Sequence, residues 1–123
     1  MRIRPEKVAH LMRREVAEIL QQKMRDPRVS AMVSVTDVEV TQDLSFARVF
    51  VSIMGSPAER DATLQALAHA AGFVRHELGP RLGLREVPEV RFVPDDSLAR
   101  GARVEELLKR IHDGKPVEDE ELG

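Results

Sequence analysis

Four histidines, His10, His69, His76 and His112, are the residues of this sequence best suited to ligate a metal or carry a proton. His69 and His76 are seven apart and could share a helix face, but no third ligand follows at a metal-binding spacing. They read as surface histidines, and neither a metal nor a cofactor is expected. The adjacent carboxylates Asp95 and Asp96 could form an acid/base pair. Their position between a predicted strand and a predicted helix favours capping instead. No phosphate-binding glycine loop, dinucleotide fingerprint or G-x-S-x-G nucleophile turn is present. No catalytic residue is assigned, and the sequence does not read as an enzyme.

Charge is the second chemical resource. Residues 1–28 carry eight Lys or Arg against four acids, whereas residues 113–123 carry Lys115 against Asp113, Glu118, Asp119, Glu120 and Glu121. A basic end suggests an anionic partner, although a charged helix face is commonly just solvated. Phe46, Phe50, Phe73 and Phe92 are the whole aromatic complement, and all fall in predicted helices or strands. Phe50 and Phe92 are expected in the core, so base stacking is not expected to carry recognition. Any nucleic-acid binding would then rest on backbone charge and shape.

The elements that position these residues follow from periodicity. In residues 5–25, Val8, Leu11, Met12, Val16, Ile19, Leu20 and Met24 form one helical stripe, which Asp26-Pro27 ends. "VSVTDVEV" (33–40) and "FARVFVSI" (46–53) are strands joined by the short polar "TQDLS". A parity slip at Thr36 and Asp37 predicts a bulge. Ser56, Pro57 and Glu59 make a capping box opening a helix that reaches Gly72 and resumes to about Leu78. Gly79-Pro80 disturbs it again. "EVRFVP" (89–94) is a third strand, and Leu98, Val104, Leu107, Leu108 and Ile111 mark a last helix.

This order predicts an α+β fold, with a three-stranded mixed sheet and helices packed on one face. Residues 1–112 are expected to form a single domain, and 113–123 an acidic, disordered tail. The 123-residue chain has no cysteine and no run long enough to span a membrane, so a cytoplasmic address is expected.

The element order is that of a type II KH-like domain, and the residues resemble the ribosome-binding factor A family of bacterial ribosome-assembly proteins. The matching stretches are "RPEKVAHLMRREVAEIL" (4–20), "VTDVEVTQDLSFARVFVS" (35–52), "HAAGFVRHELGPRLGLREVPEVRF" (69–92) and "DDSLARGARVEELLKRI" (95–111). The resemblance implies a non-catalytic, monomeric factor that binds the small (30S) ribosomal subunit late in its maturation. Its contacts would be to 16S rRNA and neighbouring ribosomal proteins, supporting 5′-end rRNA processing and cold adaptation. KH domains clamp a nucleic-acid backbone with a Gly-x-x-Gly loop, which this sequence lacks; "GPRLG" (79–83) has one residue too many. The family has an Ala-x-Gly interhelical kink instead, and Ala70, Ala71 and Gly72 match it.

On that basis the expected RNA-binding residues are Arg2, Arg4, Lys7, Arg13, Arg14 and Arg28 at the N-terminal end. Arg75, Arg81 and Arg85 near the kink complete the set. Gly72 has two readings, close packing of elements or a bend that presents Arg75 toward RNA. The competing reading of the whole chain is a KH-like adaptor that docks on an acidic partner protein.

Overall fold

A computed structural model describes residues 4–95. Helix α1 (Pro5–Gln22) begins with proline at its first position, where a missing N–H costs nothing, and buries Val8, Met12, Val16, Ile19 and Leu20. Leu11, expected in the stripe, lies at its margin and is 37% exposed. The helix closes three residues earlier than the sequence suggests. Asp26 then caps a second, short helix α2 (Pro27–Met32), accepting from the Arg28 amide at 3.0 Å. Periodicity does not predict α2, because six residues with one buried side chain, Val29, have no measurable period.

Strands β1 (Val33–Val40) and β2 (Phe46–Ile53) pair antiparallel, and β3 (Glu89–Pro94) adds parallel to β2, giving the order β1-β2-β3. The predicted bulge is present: Val35 pairs with Val51 and Asp37 with Phe50, leaving Thr36 as the extra residue. Its hydroxyl lies within hydrogen-bond reach of the Phe50 carbonyl and the Asp95 carboxylate. Ala47, Val49, Val51 and Val90 face the helices and are buried. Helix α1 packs on β1, helix α3 on β3, and the two helices touch each other. Phe92 packs against this core, but Phe50 alternates to the opposite face of the sheet, which carries no helix among the described residues, and is half-buried. Phe46 shares that face at 37% exposure, with the Arg91 guanidinium 4.8 Å from its ring centroid.

Helix α3 (Pro57–Leu82) corrects the reading at Gly72. The capping box forms as expected, with Ser56 Oγ accepting from the Glu59 amide and Glu59 accepting from the Ser56 amide. The helix then runs 26 residues without a break, through Ala70, Ala71, Gly72 and Pro80, to a left-handed cap at Gly83. Gly72 does not end one helix and begin another. The buried positions Thr63, Leu67, Val74 and Leu78 are spaced by four, seven and four, so one face stays turned to the core on both sides of it. Pro80 is accommodated because it sits in the last turn, where it deprives only the His76 carbonyl of its amide donor. The predicted C-terminal helix, its Asp96 cap and the acidic tail lie outside the described residues.

Candidate nucleic-acid interface

The expected basic residues separate into two groups once their partners are known. Arg4, Lys7, Arg13 and Arg14 are exposed on α1 and make no side-chain hydrogen bond or ion pair among the described residues. At 100° per residue, Lys7 and Arg14 lie opposite the buried stripe, with Arg4 and Arg13 on its two flanks. Their charge is therefore uncompensated locally. Arg85, in the loop between α3 and β3, is also exposed and unpaired among the described residues. Arg2 lies outside the described residues.

The other three are committed within the fold. Arg28 folds back on its own cap, donating through Nε and Nη2 to the two Asp26 carboxylate oxygens at 3.2 and 3.0 Å. This bidentate bond holds the Asp26 carboxyl below its ordinary pKa. Arg75 donates through Nε and Nη2 to the Val87 carbonyl, at 3.0 and 2.9 Å, and so braces the chain entering β3. Arg81 donates to Glu15 at 3.0 Å and to Glu18 at 3.2 Å, with 20% of its side chain exposed. Hydrogen bonding to Glu15, then to Glu18, raises its pKa. It ties α3 to α1, and two carboxylates cancel its charge. The three arginines expected around Gly72 therefore do not form one cluster. Arg75 and Arg85 line one groove, and Arg81 faces the other helix.

That groove, about 1060 Å³, opens between the β1–β2 turn, α3 and the α3–β3 loop. Asp43, Leu44 and Ser45 form one wall; Gly72, Arg75, His76 and Gly79 form the second; residues 84–87 form the third. The first wall is rigidly made. Asp43 accepts from the Ser45 hydroxyl at 2.6 Å, the Thr41 hydroxyl at 2.8 Å and the Ser45 amide at 3.0 Å. These bonds stabilise its ionised form and lower its pKa to about 2. Leu44 takes φ +61, a left-handed conformation unusual for a leucine, while its side chain packs against the core. Sequence reasoning places a hairpin here but misses its role as a groove wall. The Asp-x-Ser pattern of an Asx turn is the available signal.

Close packing does not account for Gly72, and any bend there is not a break in the helix. A Cβ built there would meet nothing within 4 Å, so close packing does not require glycine. Its φ is not positive, and the helix continues through it. Gly72 leaves bare helix backbone on the groove wall. Gly79, seven residues on, does nearly the same, its nearest neighbour to an added Cβ being Val87 Cγ2 at 3.8 Å. Among the described residues no group of three or more His, Asp or Glu could hold a metal ion, and no helix is long and apolar enough to cross a membrane.

Comparison with known proteins places this geometry in a family. The family model described as "Ribosome-binding factor A" matches residues 4–108. A ribosome-binding factor A from Gloeobacter violaceus is 52% identical over 110 residues, 88% of this chain and 85% of the relative. One from Desulforamulus reducens is 45% identical over 118 residues, covering 94% of this chain and 98% of the relative. The crystal structure of ribosome-binding factor A from Thermus thermophilus superposes with a TM-score of 0.63 at 26% identity, covering 73% of this chain and 94% of the other. A Thermus thermophilus ribosome binding factor A homology model, fitted into the cryo-EM map of a 30S–RbfA complex, gives a TM-score of 0.58 at 28% identity. It covers 72% of this chain and 96% of the other.

Proposed function

The chain belongs to the ribosome-binding factor A family, and from that premise we propose that it binds the small ribosomal subunit through 16S rRNA. The observation that carries this reading is the uncompensated basic face of α1: Arg4, Lys7, Arg13 and Arg14 have no acid paired with them among the described residues. Backbone phosphates suit such a face, since each contact releases condensed counterions from the RNA. The fit of a related protein into a 30S complex supports the same partner. The factor acts without catalysis, in the cytoplasm and as a monomer, and supports late maturation, 5′-end rRNA processing and growth in the cold. Residues 1–112 work as one KH-like domain followed by the acidic segment 113–123.

Arg85 is the second phosphate contact region, because it stands unpaired among the described residues on the lining of the groove beside Gly72. Arg28, Arg75 and Arg81 serve the fold first, and RNA reaches them only by displacing the bonds they already make.

The test is co-sedimentation with small subunits of a chain carrying Lys7→Glu, Arg13→Glu and Arg14→Glu. These side chains make no hydrogen bond or ion pair among the described residues, so the variant should keep its circular dichroism and melting temperature. Its affinity for subunits at low salt should fall by about tenfold or more. Unchanged co-sedimentation would remove α1 from the interface. Digesting the bound rRNA separates this reading from an adaptor that docks on an acidic protein, since the adaptor would stay attached.

A further inference from the structure

The groove beside Gly72 carries a charge pattern unsuited to clamping a run of phosphates. Two carboxylates, Asp43 and Glu86, line it together with two arginines, Arg75 and Arg85. The bonds that hold Asp43 in the β1–β2 turn, from the Thr41 hydroxyl, the Ser45 hydroxyl and the Ser45 amide, all end on Oδ1. Oδ2 accepts from no other residue among the described residues. An ionised carboxylate accepts hydrogen bonds and donates none, and a pKa lowered to about 2 keeps Asp43 ionised at neutral pH.

The other walls offer a flat surface and a cation. Arg75 spends Nε and Nη2 on the Val87 carbonyl, at 3.0 and 2.9 Å, which fixes the plane of its guanidinium. Such a plane stacks on nucleobases. Gly72 and Gly79 are seven residues apart and share a face of α3, about 10 Å from each other along the helix. No side chain rises from either, so a ring has room to lie beside Arg75. Arg85 is exposed and unpaired among the described residues. The volume, about 1060 Å³, is at the upper end of the roughly 300–1,000 Å³ usual for small-ligand sites.

We propose that this groove receives a single unstacked guanine of a single-stranded RNA segment, with Asp43 Oδ2 reading the base and Arg85 holding an adjacent phosphate. Guanine is the one standard base whose Watson–Crick edge presents two adjacent N–H donors, N1–H and the N2 amino group, and a lone acceptor oxygen suits that edge. Uracil, cytosine and adenine each place an acceptor beside their donor, and the carboxylate repels it. The same negative charge keeps phosphates away from the Asp43 wall and directs them to Arg85. The proposal rests on the reading of the chain as an RNA-binding factor and gives that reading a base-selective contact, where α1 supplies only charge.

The experiment measures binding of the heptanucleotides U3GU3, U3AU3, U3CU3 and U7 to the full chain, with amide NMR shifts to locate each probe. The native chain should prefer U3GU3 by about three- to tenfold, with shifts at Asp43, Ser45, Gly72 and Arg85. Asp43→Asn is the decisive variant, because its amide keeps the Oδ1 that holds the turn and puts an NH2 donor in place of Oδ2. It should remain folded and lose the preference for guanine. Arg85→Ala should weaken all four probes alike and lower the salt slope by about 0.7. Equal affinity of the native chain for the four probes overturns the proposal, as does a guanine preference that survives in Asp43→Asn. If no probe binds but small subunits still co-sediment with the chain, the guanine site fails and the RNA reading stands. If subunits also fail to bind, both fall.

Discussion

Arg81 of α3 donates to Glu15 of α1 across 66 residues of sequence, at 3.0 Å, with about a fifth of each side chain exposed. The bond closes the seam between the two helices, and Glu18 adds a second acceptor at 3.2 Å. A residue that resembles an RNA contact in sequence therefore works as a fastener. This division between fastening and free arginines organises the behaviour expected of variants.

Replacing Arg81 with alanine should lower the melting temperature, because it leaves Glu15 and Glu18 facing each other without their shared cation. Subunit affinity of the folded protein should change by less than about twofold, since the removed charge was already cancelled. Thermal melts paired with co-sedimentation read both quantities. A large loss of binding at unchanged stability would return Arg81 to the interface.

Gly72→Ala should stabilise the protein by about 1 kcal/mol, the helix-propensity difference between the two residues. The new methyl group enters open space in the groove and meets no atom within 4 Å. Denaturant unfolding measures the change. A destabilised variant would mean that glycine serves the backbone in a way that the continuous helix does not reveal.

Single alanine substitutions at Lys7, Arg13 and Arg14 should each flatten the salt dependence of RNA binding. The slope of log affinity against log salt should fall by about 0.7 to 0.9 for every true phosphate contact. Arg28→Ala should leave the slope almost unchanged while loosening the start of α2, because its guanidinium is paired with Asp26. Equal slopes for all four variants would refute the division into free and committed cations.

Asp43 gives the β1–β2 turn an acid sensitivity. Folding lowers its pKa from 3.8 to about 2, so as pH falls into that range the proton binds the unfolded chain first. The stabilisation from its three hydrogen bonds is full above the ordinary pKa and disappears as pH falls from about 3.8 through about 2. The stability difference between the native chain and Asp43→Ala should be constant above about pH 5 and close toward about pH 2. Chemical denaturation at several pH values reads it, and a difference that widened in acid would reverse the assignment.

Much of the architecture can be read from neighbouring residues. Ser56, Pro57 and Glu59 announce the start of α3 because a capping box is completed within four positions. The parity slip at Thr36 announces the bulge because side chains alternate strictly along a strand. Both strands of the hairpin and the parallel third strand follow from the same alternation and from one helical crossover. The misreadings are local signals overruled by context. Gly72 and Pro80 look like helix breakers, yet α3 continues through both because Leu67, Val74 and Leu78 hold it against the core.

Residue types, the order of the long helices and the strands, and the basic end of the chain are thus settled by local chemistry, which acts over a few positions, whereas the short α2 is not. Which cations are free is decided only on folding. Arg81 finds Glu15 sixty-six residues away, Arg75 finds the Val87 carbonyl across the α3–β3 connection, and Lys7, Arg13 and Arg14 find nothing among the described residues. Each of those outcomes depends on how helices pack on the sheet, and a charge in a sequence does not announce its partner.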